Sequence, residues 1–156
     1  MNVLNEELAT FFYLLNKHEV KYLLVGGVAV NYYGYSRTTG DVDVWLEDSK
    51  ENRQHLVNAL KNYGVESAEL FLEHPLLAGF SEILLDNGIY IDLMSDLQFV
   101  NQSEFKESYN LCEKFELTQA IKVNVIHINT LIREKEQSKR AKDIEDTAQL
   151  KKIRNI

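Results

Sequence analysis

The spacing of apolar residues predicts a helix and then a strand at the start of the chain. Apolar residues recur at helical spacing after Asn5, which can cap a helix that ends near His18. The recurring residues are Leu8, Phe11, Phe12 and Leu15. Residues 21–25 form an apolar run that predicts a short strand, and a glycine pair separates it from a short helix over about 28–33. Gly34 then predicts the end of that helix.

Alternation of apolar and polar residues marks a second strand, over residues 41–46. Successive side chains on a strand point to opposite faces, so Asp41 and Asp43 share one face while the valines beside them share the other. Ser49 predicts the start of the next helix and Gly64 its end. Two carboxylates are therefore expected side by side above an apolar face.

The β pattern returns after an ambiguous stretch, residues 66–77, in which Pro75 predicts a loop or turn. Residues 81–85 and 89–94 flank an Asn-Gly turn, which is the strongest short-range signal for a β-hairpin. Asp92 stands in the middle of the second arm, where an isolated carboxylate is normally excluded unless a site uses it.

Short helices and one more strand are predicted in the last third of the chain. Ser103 can cap a helix through Tyr109, and residues 122–128 alternate as a final strand. Asn129 can cap the next helix, which is followed by another over about 142–153. This order of helices and strands is typical of an α/β or α+β fold.

Composition supports one soluble domain spanning residues 1–156. Apolar residues make up 45% and charged residues 26% of the chain, as in ordinary globular proteins. No apolar run reaches the length of a membrane span, and the first residues lack the basic head of a signal peptide, so we expect a cytoplasmic protein. The single cysteine, Cys112, has no internal disulfide partner and is expected to pack as a small apolar side chain.

Charge is unevenly distributed along the chain. The net charge of −7 argues against extended contact with DNA. Residues 131–156 carry eight basic and five acidic side chains, or +3, which leaves −10 for the remainder. Solvated helix faces explain the last of these cations, Lys151, Lys152 and Arg154.

Three acidic residues on two predicted strands, Asp41, Asp43 and Asp92, offer the hard oxygen ligands that a pair of Mg²⁺ ions needs. Adjacent carboxylates repel each other unless a cation lies between them, so a divalent ion would recover free energy there. Taken alone, Asp41 could equally be a turn cap and Asp43 an exposed strand residue.

The glycine pair, Gly26 and Gly27, predicts the other half of a nucleotide site. Glycine lets the backbone approach a bulky anion, and the first N–H groups of the following helix present partial positive charge to it, so a triphosphate is the natural ligand. The chain lacks the lysine pattern of a P-loop and the third glycine of a dinucleotide-binding loop.

Together these residues resemble the nucleotidyltransferase superfamily of polymerase-beta type. The matching segments are Val-Gly-Gly at 25–27, Arg-Thr-Thr-Gly-Asp-Val-Asp-Val at 37–44 and Ile-Asp-Leu at 91–93. Segments 131–135 and 139–146 resemble the ending of short bacterial members, which include minimal nucleotidyltransferases, lincosamide-modifying enzymes and abortive-infection toxin relatives. The resemblance spans about residues 23–150.

The resemblance implies a small mixed β-sheet with helices packed against it. It also implies transfer of a nucleoside monophosphate, with AMP expected, from an NTP to a hydroxyl acceptor, and release of pyrophosphate. Asp41, Asp43 and Asp92 would be the catalytic residues and bind two Mg²⁺ ions. The residues implied for binding the nucleotide are Gly26, Gly27, Arg37, Thr38, Lys135, Arg140 and Lys142. Lys135 and Lys139 would share a helical face if that helix is unbroken.

One departure from the family, one alternative interpretation of the basic residues and two other functions stay open at this point. Many family members have Gly-Ser where this chain has Gly26-Gly27, and acidic neighbours in segment 143–146 offer its basic residues ordinary helix ion pairs. The protein could instead belong to a toxin–antitoxin or phage-defence pair with a small helical partner, and modify a protein or tRNA. It could also be a non-catalytic nucleotide-binding module. If the protein is an enzyme, its acceptor pocket could lie at the interface of a homodimer.

Overall fold

The computed structural model of the protein describes residues 3–76 and 80–155. Its first element is helix α1, Val3–Lys17. Phe11, Phe12 and Leu15 of α1 are buried, as their helical spacing predicts. The prediction that Asn5 caps this helix is wrong, because α1 begins at Val3 and includes residue 5.

Six strands of the described residues form a single mixed sheet. They are β1 Tyr22–Val25, β2 Val42–Leu46, β3 Phe80–Leu84, β4 Tyr90–Met94, β5 Glu113–Thr118 and β6 Ile121–Val125. The strand order is β3-β4-β2-β1-β6-β5. Pairs β2–β4 and β1–β6 are parallel, and pairs β1–β2, β3–β4 and β5–β6 are antiparallel. The fold is therefore of the mixed α/β class that the sequence predicts.

Five further helices connect the strands of the described chain. They are α2 Gly26–Tyr32, α3 Lys50–Tyr63, α4 Phe105–Asn110, α5 Ile128–Glu136 and α6 Ala141–Arg154. Short 3-10 turns cover Ala68–Leu72 and Gln102–Glu104. None of the helices in these described ranges is long and apolar enough to cross a membrane.

Both faces of the sheet are covered, so its central strands are almost wholly apolar. Helix α1 packs against α3 and against the β5–β6 end of the sheet, while α2 packs on β1 and β2. Trp45 of β2 is fully buried, and its ring meets that of Phe105 edge-on with centroids 5.0 Å apart. Its indole Nε1–H also donates a hydrogen bond to the Ser95 carbonyl at 2.8 Å, which ties the segment after β4 to the core.

The caps predicted for the middle of the chain are confirmed. The Ser49 hydroxyl accepts a hydrogen bond from the Asn52 backbone N–H at the start of α3, and Gly64 ends that helix with a φ of +111°. The predicted hairpin is also present, because β3 and β4 pair antiparallel around the Asn-Gly turn.

Several predicted boundaries and caps are wrong. Helix α2 begins at Gly26 itself and not after the glycine pair. Asn101 caps the 3-10 turn that contains Ser103, and the His127 side chain, not Asn129, caps α5. Strand β6 ends at Val125, and its partner strand β5 was not predicted.

Candidate active site

Four carboxylates from three adjacent strands form the carboxylate cluster: Asp41, Asp43, Glu82 and Asp92. The sheet register places Asp43 beside Asp92 across the parallel β2–β4 pair, and Glu82 opposite Asp92 across the hairpin. Asp41 directly precedes β2, on the same face as Asp43 by strand alternation. Carboxylate oxygens of Asp41, Glu82 and Asp92 all lie within 4.8 Å of one another.

The backbone at Gly26 shapes one side of the carboxylate cluster. Gly26 has a φ of +67°, in the region that favours glycine, and it begins α2 directly against the Asp43 carboxylate. A Cβ atom at Gly26 would overlap the Asp43 Oδ2 atom, so an alanine there would push this carboxylate away. The position therefore requires glycine both for its backbone angle and for the close approach of Asp43.

The carboxylate cluster holds negative charge that the protein leaves partly uncompensated. Burial, and then the charges of Asp43 and Asp41, raise the pKa of Asp92 to about 6. Burial also raises the pKa of Asp43, although its hydrogen bond with Asp92 and the positive charges of Lys135 and Arg140 act in the opposite direction. The Asp92 Oδ1 atom is buried without a hydrogen-bond partner among the described residues.

These features fit a divalent cation of the hard, oxygen-binding type. Magnesium takes carboxylate oxygens and keeps several positions for water or phosphate, and the carboxylate cluster supplies oxygens from separate strands. An orphaned buried oxygen on Asp92 is a free-energy cost that a bound cation would remove. The donor set therefore suits Mg²⁺ or Mn²⁺.

Glu82 is the member of the carboxylate cluster that the sequence analysis missed. The signal was available in the hairpin, because the predicted turn at residues 86–88 pairs Leu85 with Ile89 and so brings Glu82 opposite Asp92. Burial, followed by the charges of Asp92 and Asp41, raises the pKa of Glu82. Its carboxyl group thus belongs electrostatically to the same cluster.

A second set of charges is the charge network, which consists of Arg37, Lys135, Asp143 and Asp146. Lys135 Nζ, on α5, is 3.1 Å from Asp143 Oδ1 and 2.9 Å from Asp146 Oδ2, both on α6. The other Asp146 oxygen, Oδ1, lies 2.9 Å from Arg37 Nε, in the loop between α2 and β2. The two Asp146 contacts are ion pairs by distance and lack hydrogen-bond angles.

The network is buried, and hydrogen bonds support one end of it. Relative exposure is 7% for Lys135 and 0% for Asp146. The Ser138 hydroxyl donates to Asp143 Oδ2 at 2.7 Å. Burial raises the pKa of Asp143, but the Ser138 hydroxyl and the Lys135 ammonium outweigh it, so the pKa lies below its ordinary value.

Arg37 is anchored at several points. Its backbone N–H donates to the Asn31 side chain at 3.1 Å, and its Nη1 donates to the Thr38 carbonyl at 3.2 Å. Its Nη2 lies against Gly27, where a Cβ atom would be 2.8 Å from Nη2 and 2.8 Å from Thr39 Oγ1. The loop that carries Arg37 therefore packs closely on the first turn of α2.

Three members of the carboxylate cluster and three of the charge network line a cavity of about 550 Å³, whereas Glu82 and Asp146 are not part of that lining. All ten residues predicted from the sequence line it: Gly26, Gly27, Arg37, Thr38, Asp41, Asp43, Asp92, Lys135, Arg140 and Lys142. Arg140 approaches Asp143 at 3.4 Å and is largely exposed, as is Lys142. The prediction of a shared helical face for Lys135 and Lys139 is wrong, because α5 ends at Glu136 and residue 139 lies in the connection to α6.

The cavity lining also includes apolar side chains, those of Met94, Leu97 and Leu131. Glu134 accepts hydrogen bonds from the Phe99 backbone N–H at 2.9 and 3.2 Å, which fastens the segment after β4 to α5. The segment that carries Leu97 is therefore held against the helix that carries Leu131.

Comparisons with known proteins place this geometry among solved structures. No known family profile matches the sequence, and no curated protein matches it. A lincosamide antibiotic adenylyltransferase, LnuA, solved with lincomycin bound, matches with a TM-score of 0.60 and 18% identity over 98% of this chain and 99% of that one. An antigenic nucleotidyltransferase-like protein from Paracoccidioides brasiliensis matches with a TM-score of 0.55 and 17% identity over 94% of this chain and 74% of that one.

Proposed function

Since the chain has the nucleotidyltransferase fold, we propose that it transfers a nucleoside monophosphate from an NTP to a hydroxyl acceptor and releases pyrophosphate. The observation that carries this proposal is the cavity itself, whose lining combines three carboxylates, Asp41, Asp43 and Asp92, with the basic side chains of Arg37, Lys135, Arg140 and Lys142. Nucleotidyl transfer needs both, because the triphosphate is an anion and charge moves along it during the reaction.

In this proposal Asp41, Asp43 and Asp92 hold two Mg²⁺ ions, and Glu82 completes the donor set. When bound, the metal polarises the phosphoryl oxygens and neutralises charge that develops on the leaving pyrophosphate. Gly26 fixes the Asp43 carboxylate by packing directly against it. The three strands supply a rigid base, since Asp43, Asp92 and Glu82 stand in one row across the sheet.

In this proposal the basic residues of the cavity lining bind the triphosphate. Lys135 has three N–H donors, of which one makes a hydrogen bond to Asp143, so donor capacity is left for a phosphate oxygen beside the ion pair with Asp146. The guanidinium of Arg140 and the ammonium of Lys142 are exposed at the cavity and supply further positive charge. Arg37 and Thr38 close the end of the cavity beside Gly27.

The chemical step is an in-line displacement at the α-phosphorus. The acceptor oxygen forms a new O–P bond, the bond from the α-phosphorus to the pyrophosphate oxygen breaks, and pyrophosphate leaves with that electron pair. Asp92 accepts the proton of the acceptor hydroxyl. Its carboxylate is suited to this role because it is held partly buried and has a free oxygen, Oδ1, without a hydrogen bond to the described chain.

We propose ATP as the donor and a small molecule as the acceptor. The matched structure of similar length is an adenylyltransferase with lincomycin bound, which supports AMP as the transferred group. The apolar residues of the cavity lining, Met94, Leu97 and Leu131, are suited to a partly apolar acceptor molecule that carries a hydroxyl group. A protein or tRNA acceptor is the alternative that the following experiment separates.

The test is transfer of label from [α-³²P]ATP to a cell extract in the presence of Mg²⁺. Wild-type protein is compared with Asp41→Asn, which removes a charge of the carboxylate cluster, and with Glu116→Gln, an exposed strand carboxylate on β5 at the other edge of the sheet. We expect wild type and Glu116→Gln to label extract equally and Asp41→Asn to lose at least about 100-fold in rate.

Size separation of the labelled extract then identifies the acceptor class. Label that passes a small-pore filter supports the small-molecule acceptor, whereas label retained with protein or RNA supports the alternative. If the wild type transfers no label with any of the four NTPs, or if Asp41→Asn transfers as much as wild type, the proposed function is wrong.

A further inference from the structure

A carboxylate without solvent contact lies between two of the cations that line the cavity. Asp146, on α6, is 0% exposed, and its two oxygens lie 2.9 Å from Arg37 Nε and 2.9 Å from Lys135 Nζ. Buried carboxylates are rare unless cations compensate them, because leaving water costs several kcal/mol per ion. Here each oxygen has a different cation, and each cation comes from a different element of the fold.

Asp146 reaches the cavity only through these partners. It is not among the residues that line the cavity, whereas Arg37 and Lys135 are. Asp143 is different, because it lines the cavity and is already held by the Ser138 hydroxyl and Lys135. Any effect of Asp146 on a ligand must therefore pass through the positions of Arg37 and Lys135.

Without a shared carboxylate, the two cations would move apart. Lys135 and Arg37 carry like charges, and both are mostly buried, with side-chain exposures of 8% and 16%. Like charges repel strongly where water is excluded, so they stay close together only when a carboxylate lies between them. Asp146 occupies that position, and it also joins the loop after α2 to both C-terminal helices.

We propose that Asp146 is a positioning residue for the nucleotide: it holds Lys135 and Arg37 together so that both face the triphosphate. This inference rests on the proposed function. The positive charge is thereby arranged before the nucleotide arrives, so binding does not spend free energy on ordering a flexible lysine. Loss of Asp146 is expected to weaken nucleotide binding and to leave the carboxylate cluster unaffected.

The experiment measures the affinity of the folded, full-length protein for ATP with Mg²⁺ and, separately, for Mn²⁺ alone. Asp146→Asn removes the shared charge, and Asp146→Glu keeps the charge but moves it by one methylene. Glu145→Gln, an exposed change one residue away on α6, is the matched control. We expect Kd for ATP to rise about tenfold in Asp146→Asn and to stay within about twofold of wild type in Glu145→Gln. Affinity for Mn²⁺ is expected to stay within about twofold in all three.

A second measurement reads the lysine directly. In ¹⁵N-edited spectra of lysine ammonium groups, a buried ion-paired ammonium exchanges its protons slowly and gives a visible signal. We expect one such signal in wild type that disappears in Lys135→Gln, which assigns it, and that shifts and broadens in Asp146→Asn, where Lys135 keeps only its hydrogen bond to Asp143. A residue that only stabilised the fold would leave ATP affinity unchanged in any variant that remains folded.

The outcomes separate the two proposals. If wild type binds none of the four NTPs, the proposed function and this inference are both wrong. If wild type binds ATP and folded Asp146→Asn binds it within about twofold, or more tightly, only the positioning role is wrong. Should Asp146→Asn not fold, Asp146→Glu decides, because it keeps both cations paired but moves the shared carboxylate by one methylene: the positioning role predicts a rise of about threefold in Kd for ATP, and an unchanged Kd would overturn it.

Discussion

The carboxylate cluster and the charge network differ in their charge balance. The carboxylate cluster concentrates negative charge on and beside three strands, and burial, together with the neighbouring carboxylates, raises the pKa of both Asp43 and Asp92. The charge network instead balances two cations with two carboxylates at distances of 2.9 to 3.1 Å. The comparison teaches that the charge network is balanced within the chain, whereas the carboxylate cluster has the charge and the donor atoms to accept a cation from solution.

The largest expected effect on stability comes from removing a cation of the charge network. Lys135→Met leaves Asp143 and Asp146 buried without their ammonium, which should cost about 3–5 kcal/mol and lower Tm by about 10 °C. The matched control is Lys151→Met, because Lys151 joins the same two helices through an exposed ion pair with Glu136 at 3.1 Å. That pair should contribute only about 0–1 kcal/mol. Equal losses of Tm in the two variants would contradict the difference between buried and exposed pairs.

A smaller effect is expected where the backbone approaches the carboxylate cluster. Gly26→Ala places a methyl group on the Asp43 carboxylate at a positive φ, and we expect a loss of about 1–3 kcal/mol in the free energy of unfolding. Gly40→Ala is the control, because a Cβ there would meet nothing within 4 Å. Urea titration of both variants measures the difference. A Gly26→Ala variant as stable as Gly40→Ala would contradict the close packing described for Asp43.

The smallest effect concerns the pH dependence of the metal-free protein. The pKa of Asp92 is about 6 when folded, above the value of about 3.9 for an unfolded chain, so the folded state binds the proton more tightly. Stability should therefore rise as pH falls from 8 to 5, and decline as pH rises through 6. Asp92→Asn should remove this contribution and, at pH 8 in EDTA, stabilise the protein by about 1 kcal/mol, an amount that allows for solvent screening.

Thermal unfolding across this pH range, with Glu116→Gln as the control, checks the sign. If Asp92→Asn were less stable than wild type at pH 8 without metal, the negative charge of the carboxylate cluster would not be uncompensated. The contrast with Lys135→Met would then disappear, because both sets of charges would lose stability when a charge is removed.

The sequence predicted the part of the site that depends on local periodicity. Strand alternation places Asp41 and Asp43 on one face without any knowledge of the fold. That Asp92 would join them depends on β2 and β4 being neighbours, and periodicity alone does not determine strand order. The resemblance to nucleotidyltransferases supplied that step, and the register of Asp43 with Asp92 agrees with it.

What the sequence analysis missed depends on pairing between distant segments. Asp146 looks like one more acidic residue on a solvated helix, and only the packing of α6 against α5 and the loop at Arg37 buries it. Strand β5 was missed because it is an edge strand with several exposed side chains, so its pattern resembles a polar connection. In both cases tertiary contacts decided what local preference left open.

Metal binding in the absence of nucleotide tests the central claim most directly. Calorimetric titration of the EDTA-treated protein with Mn²⁺ should show saturable binding in wild type. That binding should be weaker by at least about tenfold in Asp43→Asn and in Asp92→Asn, and unchanged in Glu116→Gln. Equal Mn²⁺ binding by wild type and both aspartate variants, or no binding by wild type, would contradict the account, because the carboxylate cluster would then not be built for a cation.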